Sequence, residues 1–147
     1  MDAIDRKIMR ELSKDGRVSN AELAARVGLS ASACSRRVQE LERAGYIRGY
    51  RAVIDRTKLG IGLTAYVAVS LSRHTRREQQ AFEIAMEASP VVRECHNVTG
   101  AIEYMLRVEA EDLAAYKHFH TEVLGALPQV TTITSYIVMS SPKDERS

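Results

Sequence analysis

Residues 28–50 read GLSASACSRRVQELERAGYIRGY, and this stretch contains a tight turn, a helix and a helix stop. Gly28 can adopt the positive φ that a sharp turn needs. The hydroxyl of Ser30 can accept a hydrogen bond from a free N–H group at a helix start, so we expect the helix to begin at Ala31. Gly45 can take the left-handed conformation that ends it.

The predicted helix has one buried side. Cys34, Val38 and Leu41 recur at spacings of four and three and form an apolar stripe. Serine, arginine and glutamine occupy the other faces, and these side chains bond base edges and phosphates in a major groove of DNA. The predicted DNA contacts are Ser30, Ser32, Ser35, Arg36, Arg37 and Gln39. Two alternatives stay open: the helix could be an ordinary basic surface helix, and Arg37, which borders the stripe, could pair with a helix carboxylate.

Two further helices are predicted upstream. After Asp2, apolar residues recur at helical spacing as far as Leu12. Ser19 and Glu22 have the spacing of a capping box, which opens a second helix. That helix passes through Gly28 directly into the arginine-bearing helix. Three short helices, the last two joined by a tight turn, are typical of a helix-turn-helix unit, whose third helix enters the major groove.

Residues 46–54 are aromatic and β-branched with arginines between them, which favours an extended strand or a small wing. Arg48 and Arg51 in this segment either bind DNA phosphates or keep an edge strand soluble. Apolar periodicity lapses over residues 55–62, so we expect a linker there. The predicted division is a DNA-binding domain over 1–54, the linker over 55–62 and a second domain over 63–147.

The second domain alternates strands and helices. Strands are expected at Leu63–Leu71, 91–98, 102–108 and 130–139. One helix begins after Thr75 and ends before Pro90, and another carries an apolar stripe from Leu113 to Leu127. The order β-α-β-β-α-β is that of a ferredoxin-like domain, in which a four-stranded antiparallel sheet has two helices on one face. The whole chain is therefore predicted to be an α+β protein with an amino-terminal winged helix-turn-helix.

The uncovered face of this sheet led us to expect a dimer. In the last strand, Val130, Tyr136 and Val138 are expected on one face of the sheet. Ile133, Ile137 and Met139 alternate with them and are expected on the other face, so both faces carry large apolar groups. Two helices can cover only one face, so the other would need burial against a second copy. A dimer would also place two recognition helices on the halves of a near-palindromic site.

Composition and charge favour a globular DNA-binding protein. Of the 147 residues, 45% are hydrophobic and 27% are charged, as in ordinary globular domains. Residues 1–54 carry 11 Lys and Arg against 7 Asp and Glu, whereas the remainder carries 10 against 12. No apolar run approaches the roughly 20 residues of a membrane span, and the start of the sequence lacks signal-peptide character. We therefore expect a cytoplasmic protein without membrane partners, and no disulfide between Cys34 and Cys95.

Catalytic and metal sites are not expected. Cys95 and His96 are strand neighbours and point to opposite faces, and His118 and His120 do not share a helix face. The sequence contains no glycine-rich phosphate loop, no Cys-x-x-Cys pair and no nucleophile elbow. The chain is therefore predicted to be neither an enzyme nor the holder of a cofactor.

Motifs along nearly the whole chain resemble the leucine-responsive regulatory protein and AsnC (Lrp/AsnC, feast/famine) family of transcription regulators. They are IDRKI at 4–8, DGR at 15–17, LA at 23–24, VGLS at 27–30, RV at 37–38, LE at 41–42, GYI at 45–47, GY at 49–50, ECH at 94–96, VTG at 98–100, Thr134 and YIVM at 136–139. The resemblance implies a regulatory domain of the RAM or ACT-like type that dimerises through its sheets. It also implies dimers that assemble into octamers in many members and a small effector, usually an amino acid, bound between dimers.

The resemblance also implies where the effector binds. The family's loop after the second strand commonly runs Gly-x-x-Asp-Tyr, and here it runs Gly-Ala-Ile-Glu-Tyr over residues 100–104. A glycine-containing loop offers close N–H donors to an amino acid's carboxylate. The implied pocket consists of Thr99, Gly100, Ala101, Ile102, Glu103 and Tyr104, with Thr134 and Tyr136 from the last strand. Ordinary hairpin structure is the alternative.

The expected function is sequence-specific transcriptional regulation by a DNA-binding protein whose assembly or DNA affinity responds to an amino-acid effector. The expected partners are double-stranded DNA, further copies of the chain and the amino acid. The alternative is an architectural protein of the same fold that compacts DNA without an effector. Sequence discrimination and salt dependence separate the two, because phosphate contacts weaken with salt on every sequence alike.

Overall fold

A computed structural model describes residues 1–144 of the protein. The chain divides into two compact units, one ending at Val53 and one beginning at Ile54. No helix among the described residues is long and apolar enough to cross a membrane. Cys34 and Cys95 are both free thiols, as predicted.

The first unit contains three helices: α1 (Ala3–Lys14), α2 (Asn20–Val27) and α3 (Ala31–Arg43). The predicted caps are confirmed, because the side chain of Ser19 accepts from the Glu22 N–H and that of Ser30 from the Ala33 N–H. Gly28 has φ 78°, the left-handed conformation expected of it in the turn between α2 and α3. The helix-turn-helix prediction is therefore confirmed.

Hydrogen bonds between the helices fix how they pack. The side-chain amide of Asn20 donates to the Ala31 carbonyl over 2.8 Å, which joins the start of α2 to the start of α3. Arg37 of α3 donates from Nη1 to Asp2 Oδ2 at 2.7 Å and to Asp5 Oδ1 at 2.8 Å. Six side chains form the buried centre between the helices: Ile8, Leu23, Ala24, Val27, Cys34 and Leu41.

The expected strand over residues 46–54 is corrected by the structure, since no strand forms there. The N–H groups of Tyr46 and Ile47 both donate to the Leu41 carbonyl, at 2.9 and 3.2 Å. Further along, the Tyr50 hydroxyl donates to Glu42 Oε1 over 2.8 Å. Tyr46, Ile47 and Tyr50 therefore bond to the end of α3, and the first unit offers the segment no second strand with which to pair.

The second unit confirms the β-α-β-β-α-β order. Its elements, after a short 3₁₀ turn at Thr57–Leu59, are β1 (Leu63–Leu71), α4 (Arg76–Glu87), β2 (Val92–Asn97), β3 (Tyr104–Ala110), α5 (Leu113–His118) and β4 (Val130–Ile137). The sheet order is β2-β3-β1-β4, with every neighbouring pair antiparallel. After α5, residues Phe119–Leu124 continue as a π-helix, where the sequence predicted an uninterrupted α-helix.

The two faces of the sheet differ sharply. Strand register places Val67, Leu106 and Val108 on one face, where they are fully buried with Phe82 and Met86 of α4. The opposite face carries Tyr66, Ala68, Ser70, Glu94, His96, Met105, Arg107, Glu109, Thr132, Thr134 and Tyr136. Most of these side chains are polar or charged.

The expectation of a broadly apolar uncovered face was therefore wrong. A register shift between Ser70 and Leu71 pairs Val130 with Leu71 and thereby turns it toward the helix side. Ile133 and Ile137 lie on that side as well, opposite Val69 and Ala65. On the uncovered face, Arg107 instead bonds the carboxylates of Glu94 and Glu109. Apolar burial on this face consequently does not support the dimer.

The ion pairs of Arg37 predict an acid-sensitive first unit. The Asp5 N–H and the Arg37 guanidinium hold the pKa of Asp2 at about 2, and the Asp2 N–H and Arg37 lower the pKa of Asp5. Depressed carboxyl pKa values stabilise the folded state above pH ~4, and this stabilisation is lost as pH falls toward 2. We expect Arg37→Met to lower the free energy of unfolding at pH 6, with a deficit that shrinks by pH 2.5.

Urea unfolding followed by circular dichroism at pH 6, 4 and 2.5 measures that deficit. Arg10→Met is the matched control, because Arg10 is exposed and has no ion pair among the described residues. A deficit for Arg37→Met that stays constant over this pH range would contradict a role for the two carboxylates.

Candidate functional site

Helix α3 presents a polar face to solvent. Ser32, Arg36 and Gln39 are exposed and lie three and four residues apart, so they share one side of the helix. Ser35 borders this side and is half-buried. Within residues 1–144, neither the Arg36 nor the Gln39 side chain has a hydrogen bond or ion pair. Their donors are consequently available to a ligand outside the chain.

Three of the predicted DNA-contact residues have structural roles. Ser30 caps α3 at 3.3 Å from the Ala33 nitrogen, and its Oγ also lies 3.3 Å from that of Ser32. Arg37 is committed to the carboxylates of α1, which is the alternative that the sequence left open. We therefore remove Arg37 from the set of base-reading candidates.

Three more arginines of the first unit are exposed: the predicted Arg48 and Arg51, and Arg43. Arg48 and Arg51 are exposed and line a cavity of about 740 Å³ against Met9 and Leu12 of α1. Arg43, which sequence reasoning did not include, is exposed in the last turn of α3, four residues after Gln39. The same helical spacing that selected Arg36 and Gln39 could have found it.

The loop between β2 and β3 presents unused backbone donors. Val98 donates its N–H to the Glu103 carbonyl over 2.9 Å, and the Asn97 amide bonds the same oxygen at 3.1 Å. Between these anchors, the N–H groups of residues 99–102 have no acceptor within the described chain. Gly100 has φ 125°, a conformation that glycine tolerates. Such a row of free N–H groups can bind a carboxylate.

Glu103 already has partners in the fold. Its Oε2 accepts the Leu71 N–H at 2.7 Å, and its Oε1 lies 3.2 Å from Nδ1 of His74. The side chain is 15% exposed. Glu103 thus joins the loop to the end of β1, and it is also the acidic group nearest in sequence to the free N–H groups.

Tyr104 lies in the core, which corrects its predicted place on the pocket rim. It is 1% exposed, its ring centroid is 4.5 Å from that of Phe82, and its hydroxyl donates to Glu83 Oε1 over 2.6 Å. Burial and the Glu83 contact raise the pKa of this hydroxyl. Because alternate residues of a strand face opposite ways, Tyr104 points to the helix side of the sheet.

The remaining predicted pocket residues are divided between two places. Thr99, Gly100 and Ala101 are exposed on the loop, and Ile102 is half-buried beside them. Thr134 and Tyr136 are exposed on the uncovered face, opposite Ala68 and Tyr66 of β1. The structure therefore brings the loop residues together. It places Thr134 and Tyr136 on the uncovered face of the sheet, whereas Tyr104 lies on the helix side.

A second cavity, of about 400 Å³, lies between α4 and β2. Cys95 lines it, and burial together with the Glu83 and Glu87 carboxylates raises the pKa of this thiol to about 11. Cys95 is consequently a thiol, not a thiolate, near neutral pH. Across residues 1–144, no three His, Cys, Asp or Glu side chains come together as a metal-ligand set.

Family models match both units. Residues 1–48 match a winged helix-turn-helix DNA-binding model, and residues 64–147 match the Lrp/AsnC ligand binding domain. The chain is 43% identical over 144 residues to the leucine-responsive regulatory protein of Rhizobium meliloti, covering 98% of this chain and 92% of that one. It is 40% identical over 143 residues to the Escherichia coli K12 protein of the same name, covering 97% and 87%.

Solved structures agree with these matches. A transcriptional regulator of Neisseria meningitidis, determined as a complex with L-Met, superposes with a TM-score of 0.93 at 33% identity, covering 98% of this chain and 93% of that one. The relatives are regulators of transcription. The matched models and the near-full-length identities show that this chain belongs to the Lrp/AsnC family of DNA-binding transcriptional regulators and carries that family's ligand-binding domain.

Proposed function

We propose that this regulator reads DNA with the exposed face of α3 and that an amino acid bound at the β2–β3 loop controls it. One observation carries the DNA part of this proposal. Helix α3 is buried along one side, and on its opposite side the Arg36 and Gln39 side chains have no partner within residues 1–144. An arginine in the first turns of a recognition helix can bond a guanine edge in the major groove. Arg43, Arg48 and Arg51 then hold the flanking phosphates.

One recognition helix covers one half-site. A near-palindromic operator has two half-sites, so the proposed regulator acts as a homodimer or as a larger assembly of dimers, such as an octamer. The family resemblance supports this assembly.

Arg36 provides the sharpest test of base reading. We expect Arg36→Ala to lower the ratio of operator affinity to non-specific affinity by about tenfold or more, because it removes a base contact. The operator is first selected by the wild-type protein from a randomised duplex pool. Fluorescence anisotropy on that duplex and on a scrambled duplex, at several salt concentrations, then measures both affinities.

Arg10→Ala is the matched control, because it removes one exposed positive charge from α1 without changing the face of α3. It should change both affinities by the same small factor. An equal loss on both duplexes for Arg36→Ala would show a phosphate contact instead, and it would favour the DNA-compacting alternative.

The effector part of the proposal is supported by the free N–H groups of residues 99–102, which suit an amino acid's carboxylate. Glu103 is the carboxylate that accompanies them, and it suits the amino acid's ammonium group. The L-Met bound to the Neisseria meningitidis regulator supports this class of ligand. An effector changes DNA binding only if it binds one assembly or DNA-bound state more tightly than another.

A thermal-shift screen against the twenty amino acids tests this site. A ligand present at ten times its Kd should raise Tm by about 3 °C in a protein of this size. For each ligand that does so, we expect Glu103→Gln to weaken binding about tenfold, because it removes the charge. The glutamine carbonyl can still accept the Leu71 N–H, so the loop anchor is retained.

Glu111→Gln is the control, because Glu111 is exposed and its carboxylate has no partner within the described chain. It should bind the ligand as the wild type does. If Glu103→Gln binds the amino acid as tightly as the wild type does, the ligand's ammonium group lies elsewhere. If no amino acid raises Tm of the wild type, a regulator that works without an effector is favoured.

A further inference from the structure

Helix α4 begins with an unusual concentration of positive charge. Arg73, His74, Arg76 and Arg77 lie within five residues at its amino-terminal end, and Glu78 is the acidic residue of the first turn. A helix amino terminus carries the positive end of the helix dipole, so cations there are electrostatically unfavourable and anions are favourable. His74 lies 3.2 Å from the Glu103 carboxylate at the β2–β3 loop, whereas the side chains of the three arginines have no hydrogen bond or ion pair within residues 1–144.

Two of the arginines converge on one cavity. Arg73 and Arg77 line a space of about 370 Å³ between the start of α4 and the residues that precede β4, with Pro128 among its walls. Neither guanidinium has an ion pair or hydrogen bond within residues 1–144. By contrast, two other arginines of this unit, Arg56 and Arg93, each form an ion pair with the Glu109 carboxylate, within 4 Å. The two cavity arginines have no such anionic partner within residues 1–144.

Gln129 supplies an independent sign of a ligand. Only 7% of this residue is exposed, and it lines the same cavity. Its backbone carbonyl accepts the Ser72 N–H at 2.8 Å, but its side-chain amide has no hydrogen-bond partner within the described chain. The amide is not completely enclosed by protein. Every fully enclosed polar side-chain atom among the described residues has a hydrogen-bond partner, and this amide has none. Buried side-chain amides normally have a hydrogen-bond partner, so an unpartnered amide at the wall of a cavity is available to a ligand bound there.

The cavity's acidic residue is already engaged. Glu78 lines the space, but its Oε2 accepts the Thr75 hydroxyl over 3.2 Å as part of the α4 cap. The N–H groups of Arg76 and Arg77, in the first turn of α4, have no acceptor within residues 1–144. The unpartnered groups around the cavity are therefore two guanidiniums, an amide and a helix amino terminus, and the two guanidinium charges exceed the single negative charge of Glu78.

This set of donors is complementary to a phosphoryl group. Guanidinium groups bind phosphate oxygens in pairs, and a helix amino terminus binds the same charge through its N–H groups. We propose that the cavity between the start of α4 and β4 binds a phosphoryl group. Its source is a small phosphorylated molecule or the phosphodiester backbone of bound DNA, which share this chemistry.

Pyrophosphate and the double variant Arg73→Gln/Arg77→Gln test the first source. We expect millimolar sodium pyrophosphate to raise Tm of the full-length wild-type protein, by about 3 °C at ten times its Kd. The double variant should lose this shift. Arg76→Gln should keep it, because Arg76 is an equally exposed cation of the same helix turn but does not line the cavity.

Gln129→Leu tests the amide separately from the charges. Isothermal titration calorimetry of this variant with pyrophosphate should show an affinity about tenfold weaker than the wild type, since a hydrogen bond to a charged group is lost. Unchanged affinity would overturn the assignment of the amide as a ligand.

Non-specific DNA binding tests the second source. If the cavity holds one DNA phosphate, the slope of log affinity against log salt should fall by about 1 for each bound chain in the double variant, while Arg76→Gln leaves it nearly unchanged. This result without a pyrophosphate shift would support the site and assign it to DNA. Wild-type behaviour of the double variant in both measurements, or equal losses in Arg76→Gln, would overturn the proposal. Because α3 and the β2–β3 loop are unaltered in these variants, either result leaves the proposed function standing.

Discussion

The first domain depends on helix α3 burying one side while leaving the other free. Cys34 and Leu41 are buried against α1 and α2, and the Asn20 amide holds the start of α3 to the start of α2. Arg37 adds the third fixed point through Asp2 and Asp5. With rotation about the helix axis fixed in this way, Arg36 and Gln39 must face solvent. A recognition helix needs that fixed rotation, because base contacts tolerate little error in side-chain direction.

The second domain shows how the β2–β3 loop can serve the fold and remain available for binding. Glu103 anchors the loop to β1 with one carboxylate oxygen and leaves the other beside His74. Tyr104 continues the chain into the core against Phe82. Between Val98 and Glu103, the backbone is held at both ends and its N–H groups stay free. A ligand's carboxylate would therefore meet donors that are already positioned, which reduces the entropy lost on binding.

Charge is organised differently on the two sides of the second domain. On the uncovered sheet face, Arg107 is surrounded by Glu94 and Glu109, so its charge is neutralised inside the domain. At the start of α4, Arg73 and Arg77 have no such partners within the described residues. Arg107 and the pair Arg73 and Arg77 thus have opposite electrostatic environments. Glu109, two residues along β3, and Glu94, which the pairing of β3 with β2 brings near, both neutralise Arg107.

Local patterns were sufficient for the first four helices, their caps, the turn at Gly28 and the β-α-β-β-α-β order, since these follow from spacing and from single-residue backbone preferences. They also identified the exposed face of α3, but they did not predict the π-helix at Phe119–Leu124. Long-range pairing decided the rest. Residues 46–54 found their partners on the end of α3, Arg37 found its carboxylates about 35 positions away, and a single register shift at Ser70 turned Val130 toward the helices. Each of these outcomes depends on contacts between distant residues, and no local pattern encodes them.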